Sequence, residues 1–231
     1  MSPKSSPNLA MLMAVAKGLK SLKERVVFVG GVTIELYVAS TAPKPRATDD
    51  VDCVVELATC AKYHDLEEEL RKLGFKHPSD GRGPICRWIF EGIQVDVMPT
   101  EGAVLGFKNR WYADGVLNTR ATILPDGQSV QIFSVPYLLA SKIEAFLDRG
   151  KGDFLASHDL EDVVTVLDGC PNLKEEVAKA PEEVRVFLKK KLGGFLADGR
   201  FLDGLQGHLE AIEPRAGKTE KVVQLIRDLT T

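Results

Sequence analysis

Three aspartates, each within a short apolar run, are the residues best suited to chemistry in this sequence. Asp50 and Asp52 lie two positions apart in Asp-Val-Asp-Cys-Val-Val, and Asp96 lies in Ile-Gln-Val-Asp-Val-Met. Side chains alternate between the two faces of a strand, so Asp50 and Asp52 are expected on one face and their apolar neighbours on the other. The same alternation places Asp96 opposite its own apolar neighbours. The pattern predicts two neighbouring strands that bring the carboxylates together.

Carboxylates on one face of a sheet repel one another unless a cation lies between them. Mg²⁺ fits this position because it accepts one or two carboxylates and takes its other ligands from water and substrate phosphates. Mn²⁺ is the alternative ion. A third carboxylate would allow two-metal chemistry, in which one ion activates the attacking oxygen and the other stabilises the leaving pyrophosphate. We therefore predict that Asp50, Asp52 and Asp96 are metal ligands and catalytic residues. For Asp-x-Asp alone, a solvated strand edge or turn is the alternative.

A glycine pair precedes the first two aspartates. Gly30 and Gly31 follow Val-Val-Phe-Val and precede Val32–Val38, whose apolar spacing predicts a helix. Glycine lets backbone N–H groups approach phosphate oxygens closely, and a helix N-terminus adds a favourable dipole. We predict that Gly30 and Gly31 bind the phosphates of a nucleotide, with the Thr33 hydroxyl as a further donor. A tight turn that needs glycine only for steric reasons is the alternative.

These residues resemble the core signature of the nucleotidyltransferase fold of the DNA polymerase β type. A longer set of motifs resembles the AbiEii-type nucleotidyltransferase toxins of bacterial type IV toxin–antitoxin systems: Arg46-x-Thr48-x-Asp50-Val-Asp52, Ser141-Lys142-Ile-Glu144-Ala-Phe and Ser157-His158-Asp159-Leu-Glu161-Asp162-Val. The resemblance implies an enzyme that uses Mg²⁺ or Mn²⁺. Such an enzyme transfers a nucleoside monophosphate from a nucleoside triphosphate to an acceptor hydroxyl and releases pyrophosphate.

The resemblance also implies roles for residues outside this core. Arg46, Thr48 and Lys142 would bind the nucleotide, with Lys142 neutralising its β- and γ-phosphates. Asp159 would be a catalytic carboxylate of a second domain that faces the nucleotide site, either holding Lys142 or acting as a base. By residue type alone, Lys142 could instead extend its amino group to water from a helix edge. Asp159 could likewise serve only to stabilise the start of a helix.

The acceptor implied by the resemblance is tRNA or another RNA end. Transfer to it would block translation, and an antitoxin protein would be encoded nearby. Two other interpretations use the same residues. One is a nucleotidyltransferase that inactivates a small-molecule antibiotic. The other is a catalytically silent nucleotide- or protein-binding module, against which the intact Asp50, Asp52 and Asp96 argue.

Apolar periodicity predicts an α+β fold that changes character near Ser134. Before this residue, strands at Val26 and Asp50, a helix over Cys60–Leu73 and two hairpins are expected, with turns at Gly92 and Gly127. After it, the pattern is helical. We predict an N-terminal nucleotidyltransferase domain, residues 1–134, with a mixed β-sheet flanked by helices. A helical C-terminal domain, residues 135–231, would complete the nucleotide site.

Composition agrees with a cytoplasmic enzyme. The chain has 231 residues and a net charge of −3, which gives no bulk attraction to nucleic acid. No apolar run approaches the roughly 20 residues that span a bilayer, and no secretory signal is recognisable, so no membrane partner is expected. The 4 cysteines have no paired spacing that would indicate a zinc site or a disulfide framework.

Overall fold

The computed structural model describes residues 5–57, 59–79, 81, 83–101, 109–212 and 217–231. The chain forms two compact units. The first consists of Met1–Thr33 and Ala47–Phe133, and the second of Ile34–Arg46 and Ser134–Thr231. The described strands belong to the first unit, whereas the second is built mainly of helices. The α+β class predicted from the sequence is confirmed.

The first unit is built on a six-stranded mixed sheet. Its strands are β1 (Val26–Val29), β2 (Asp50–Val55), β3 (Arg87–Phe90), β4 (Ile93–Pro99), β5 (Thr119–Ile123) and β6 (Ser129–Phe133). They lie in the order β3-β4-β2-β1-β6-β5. β2 is parallel to β4 and β1 is parallel to β6, and the other neighbours are antiparallel. The two hairpins predicted from turn glycines are confirmed as β3–β4 and β5–β6.

Among the described residues of this unit, the α-helices are α1 (Pro7–Leu19), α2 (Cys60–Lys72) and α3 (Trp111–Leu117), and a 3₁₀-helix, Lys20–Glu24, follows α1. The Ser6 side chain caps α1 by accepting a hydrogen bond from the Leu9 N–H at 3.2 Å. The apolar face of α1 contributes Leu12, Val15, Ala16 and Leu19 to the core. The chain leaves α2 at Gly74, which has a φ of 93° and is the stop that the sequence predicts.

A 3₁₀-helix, Gly31–Leu36, begins at the second glycine of the pair. It begins one residue before the predicted helix and ends two residues earlier. Three consecutive β-branched side chains, Val32, Thr33 and Ile34, restrict rotamer freedom here and disfavour a longer α-helix. Short 3₁₀ turns are common as connectors, and this one joins β1 to the residues that enter the second unit.

The second unit contains α4 (Val135–Arg149), α5 (His158–Gly169), α6 (Leu173–Lys179), α7 (Glu182–Leu196), α8 (Gly199–Ile212) and α9 (Lys218–Thr230). Ser134 is the N-cap residue of α4 and Ser157 that of α5, and the Ser157 side chain accepts a hydrogen bond from the Leu160 N–H at 3.4 Å. The core includes a cluster of aromatic rings from Phe146, Phe154, Phe195 and Phe201. None of the helices in the described ranges is long and apolar enough to cross a membrane.

Residues 34–46 pack against the end of α5. The Ala39 N–H donates to the Gly169 carbonyl oxygen at 3.0 Å. A Cβ atom at Gly169 would lie 2.8 Å from the Val38 side chain, so glycine permits this close approach. These contacts lie within the second unit, in which residues 34–46 group with the helices.

Candidate active site

Asp50, Asp52 and Asp96 lie on one face of two neighbouring parallel strands. In the register of β2 and β4, Asp52 is opposite Asp96, and Asp50 is opposite Gln94. Ligand oxygen atoms of the three aspartates all lie within 4.8 Å of one another. Asp50 and Asp52 are half-buried and Asp96 is buried. The structure therefore brings together the three carboxylates that strand alternation assigned to one face.

The three carboxylates create a strongly negative site. Like charges at this separation repel one another, and burial strengthens the repulsion. The neighbouring thiol responds to the same field, because burial and the charges of Asp52 and Asp96 raise the pKa of Cys53. Several carboxylate oxygens in one place are a donor set that suits hard divalent cations such as Mg²⁺ and Mn²⁺. The residues present therefore fit a divalent metal ion.

Gly30 lies beside Asp52. It follows β1 with a φ of 76°, a left-handed conformation that glycine adopts without strain. A Cβ atom at this position would lie 2.9 Å from Asp52 Cγ and closer still to Asp52 Oδ2. The Asp52 carboxylate thus fills space that only glycine leaves free. Phosphate binding by Gly30 and by Gly31, which begins the 3₁₀-helix, stays a prediction.

The hydroxyl groups of Thr33 and Thr48 both donate to nearby protein atoms. Thr33 is fully buried, and its hydroxyl donates to the Gly30 carbonyl oxygen at 2.9 Å. The Thr48 hydroxyl donates to Asp50 Oδ1 at 2.9 Å, and the Thr48 N–H donates to Asn8 Oδ1 at 3.1 Å. Thr33 therefore closes the glycine turn and Thr48 orients Asp50. The nucleotide contacts predicted for both threonines stay predictions.

Arg87 is a site residue that our sequence analysis missed. It lies directly opposite Asp96 in the β3–β4 hairpin. Its Nε and Nη2 atoms donate to Asp96 Oδ1 and Oδ2 at 2.9 and 2.7 Å. This hydrogen bonding raises the pKa of Arg87, which stays charged. The pairing of Arg87 with Asp96 could have been predicted from the turn at Glu91-Gly92, because a two-residue turn fixes which residues of the two strands are opposite each other.

A second cluster of charged side chains lies within the helical unit. Lys142 Nζ is 2.6 Å from Asp162 Oδ2 and 3.2 Å from Asp159 Oδ1. Arg46 donates to both oxygens of Asp162 at 3.1 and 3.2 Å. Arg149 donates to both oxygens of Asp159 at 2.8 and 3.0 Å. Three cations of this unit thus share two carboxylates, and we call these five residues the ion cluster.

Burial distinguishes the ion cluster from an ordinary surface network. Lys142, Asp159 and Asp162 are all buried. Burial raises the pKa of Asp159, but the hydrogen bonds and charges of Arg149 and Lys142 outweigh it, so the net pKa lies below its usual value. Lys142 does not extend its amino group to water, since it pairs inside the unit. Of the two roles that the resemblance gives Asp159, the contact matches the holding of Lys142.

Asp162 and Arg149 are further residues whose contacts our sequence analysis missed. Asp162 follows Asp159 by three positions on α5, so spacing alone puts both on one helix face. Its contact with Arg46 joins residues 116 positions apart, and no local pattern indicates such a pair. Arg149 ends α4, where a basic residue is ordinarily explained by the helix dipole.

Comparisons with known proteins give the fold and no family. No family model matches the chain, and no curated protein matches it. The crystal structure of JHP933 from Helicobacter pylori is similar over 99% of this chain and 94% of that chain, with a TM-score of 0.52 and 9% identity. The solution structure of the antibiotic-resistance factor ANT(2'')-Ia is similar over 82% of this chain and 95% of that chain, with a TM-score of 0.49 and 14% identity. The likeness to JHP933 is one of fold alone, and the AbiEii-type resemblance stays a prediction.

Proposed function

We propose that this protein is a metal-dependent nucleotidyltransferase. It would move a nucleoside monophosphate from a nucleoside triphosphate to an acceptor hydroxyl and release pyrophosphate. The observation that carries the proposal is the cluster of Asp50, Asp52 and Asp96, whose ligand oxygens lie within 4.8 Å of one another on parallel strands. Such a set suits a divalent cation together with substrate phosphates. A silent binding module would have no need to hold three like charges so close.

Each carboxylate would have its own part in the reaction. Asp50 and Asp52 would hold the divalent cation, which supplies positive charge to the triphosphate and to the leaving pyrophosphate. The hydrogen bond from Thr48 to Asp50 at 2.9 Å restricts rotation of that carboxylate. Asp96 would be the third ligand of this cation, and it would also orient the acceptor hydroxyl or accept its proton. The acceptor oxygen then forms a bond to the α-phosphorus as the bond from that atom to pyrophosphate breaks.

The phosphate contacts are proposed from two sources. At Gly30 and Gly31, the support is a glycine turn next to Asp52, where backbone N–H groups would bind phosphate oxygens. For Arg46 and Lys142, the support is the resemblance to AbiEii-type enzymes, which implies that both residues bind the nucleotide. Asp159 would then act by positioning Lys142, to which it is bonded at 3.2 Å.

The acceptor is proposed from the resemblance to AbiEii-type enzymes. That resemblance favours tRNA or another RNA end as acceptor and a toxin role opposed by a neighbouring antitoxin. A small-molecule acceptor uses the same catalytic carboxylates, so the acceptor has to be identified by experiment.

The test is transfer of label from each of the four α-labelled nucleoside triphosphates to purified total tRNA with Mg²⁺ or Mn²⁺. Asp52→Asn keeps the shape of the side chain and removes its charge, so we expect loss of transfer. Asp65→Asn is the matched control, because Asp65 is an exposed aspartate of the same unit. Label on tRNA that needs Asp52 but not Asp65 would support the proposal. The same assay is run with small-molecule antibiotics in place of tRNA, and label on an antibiotic but not on tRNA would retain nucleotidyl transfer and reject RNA. Absence of transfer to either acceptor would count against the proposed nucleotidyltransferase activity.

A further inference from the structure

Arg87 occupies a position that connects the edge of the sheet to the carboxylate cluster. On one face of the sheet, Arg87 of β3 is opposite Asp96 of β4, and Asp96 is opposite Asp52 of β2. The arginine thus continues the row of acidic side chains by one strand. Its guanidinium group takes both oxygens of Asp96, at 2.9 and 2.7 Å.

The geometry of this pair is set by the backbone. The hairpin places Phe90 opposite Ile93, so that Arg87 falls opposite Asp96 three residues further along. A Cβ atom at Gly83, which has a φ of 112°, would lie 3.2 Å from Arg87 Cδ, so the arginine stem runs close to the Gly83 backbone. The Arg87 side chain is only 27% exposed. The hairpin register and the surrounding backbone therefore hold the ion pair in place, unlike a contact of a mobile surface side chain.

The pair has a consequence for a metal ion in the same cluster. A carboxylate bonded to a guanidinium through both oxygens is in a strong, charge-assisted arrangement. A divalent cation that uses Asp96 as a ligand would meet a fixed positive charge next to that ligand. It would also have to share or replace a hydrogen bond to one of the oxygens.

We propose that Arg87 is a positioning residue that serves as the built-in counter-ion of Asp96 and competes with the divalent cation for it. The inference rests on the proposed function only in taking Asp96 as a metal ligand. Arg87 would keep Asp96 in place and limit the repulsion among the carboxylates when no cation is bound. The site would then bind a divalent cation weakly until nucleotide phosphates supply further ligands.

The test is the affinity for Mn²⁺ in the absence of nucleotide, measured by electron paramagnetic resonance of free Mn²⁺. Arg87→Gln removes the charge, and we expect it to tighten Mn²⁺ binding about tenfold. Arg87→Lys keeps the charge without the paired hydrogen bonds and should give an intermediate affinity. Arg25→Gln is the matched control, because Arg25 pairs with Glu69 on the surface of the same unit, and it should bind like the wild type. Circular dichroism of each variant verifies folding.

Equal or weaker Mn²⁺ binding by Arg87→Gln and Arg87→Lys would overturn the inference while leaving the metal site intact. If Arg87→Gln does not fold, the comparison of Arg87→Lys with the wild type decides. Absence of Mn²⁺ binding in both the wild type and Arg87→Gln, or equally tight binding by Asp52→Asn, would overturn the metal assignment itself and the inference with it. The two failures are therefore distinguishable from one set of titrations.

Discussion

The carboxylate of Asp52 fills the space that a side chain at Gly30 would occupy. Val29, the last residue of β1, is opposite Asp52 in the antiparallel register with β2. The chain then turns at Gly30 with a φ of 76°, and a Cβ atom there would lie 2.9 Å from Asp52 Cγ. The glycine and the aspartate therefore depend on each other, and the turn sets the position of a proposed metal ligand.

Replacing Gly30 by alanine is expected to displace the Asp52 carboxylate. A displacement of about 1 Å in a catalytic group can cost about 100-fold in rate, and we expect a loss of transfer of that order. The left-handed backbone should also cost about 1–2 kcal/mol in the free energy of unfolding. Initial rates of transfer and urea denaturation measure the two effects.

Gly127→Ala provides the matched control for this change. Gly127 has a φ of 85° in the β5–β6 turn, and a Cβ atom there would meet nothing within 4 Å. It should lose similar stability and retain transfer. Equal activity losses in Gly30→Ala and Gly127→Ala would mean that backbone strain, and not Asp52, explains the effect.

Thr48→Val is expected to weaken the positioning of Asp50. The variant keeps the shape of the side chain and loses the hydrogen bond from the hydroxyl to Asp50 Oδ1 at 2.9 Å. A hydrogen bond to a charged group is worth about tenfold in an equilibrium constant, so the metal concentration for half-maximal activity should rise by about that factor. Thr122→Val, on the half-buried edge strand β5, is the control. An unchanged metal requirement in Thr48→Val would exclude this role.

Lys142→Met is expected to destabilise the helical unit. It leaves Asp162 and Asp159 buried with one cation fewer, and removal of one partner from a buried ion pair costs about 3 kcal/mol or more. We expect the lower end, because Arg46 and Arg149 still pair with these carboxylates. Lys174→Met, which breaks an exposed pair with Asp228, should change the free energy of unfolding much less. Similar losses in the free energy of unfolding of the two variants, measured by urea denaturation, would show that Lys142 in the ion cluster contributes no more to stability than an exposed ion pair.

Acid should remove the stabilisation that Arg149 provides to Asp159. Burial raises the pKa of Asp159, but its partners lower it more, so the folded value lies below the unfolded value of about 3.9. A carboxyl with a lowered pKa stabilises the fold above the unfolded value and loses this contribution as the pH falls through the folded value. The difference in melting temperature between the wild type and Arg149→Gln should therefore be constant from pH 6 to about pH 5 and narrow as the pH falls below about 3.9.

The control for the pH series is Arg200→Gln, which removes the solvent-exposed partner of Asp198. The melting temperature of this variant should differ little from that of the wild type at every pH, because water screens an exposed ion pair. If the difference in melting temperature between the wild type and Arg149→Gln stays constant or widens on acidification, Arg149 does not stabilise the fold through ionised Asp159.

Local pattern predicted the fold class and the carboxylate cluster, because strand alternation and turn glycines are local signals. Asp50, Asp52 and Asp96 each lie in an apolar strand whose period fixes the face, and the structure places them together. The partners of these residues were harder to predict from the sequence. Arg87 follows from the hairpin register, whereas the contact of Arg46 with Asp162 depends on how distant segments pack. The segment 34–46 joins the helices for the same reason.

The phosphorus atom that reaches the acceptor distinguishes nucleotidyl transfer from other reactions of a nucleoside triphosphate most directly. Wild-type protein and Asp52→Asn would be incubated with Mg²⁺, total tRNA and either α-labelled or γ-labelled nucleoside triphosphate. We expect α-label on the tRNA, γ-label in released pyrophosphate, and neither product with Asp52→Asn. Transfer of γ-label to the acceptor, or equal transfer by Asp52→Asn, would contradict this expectation.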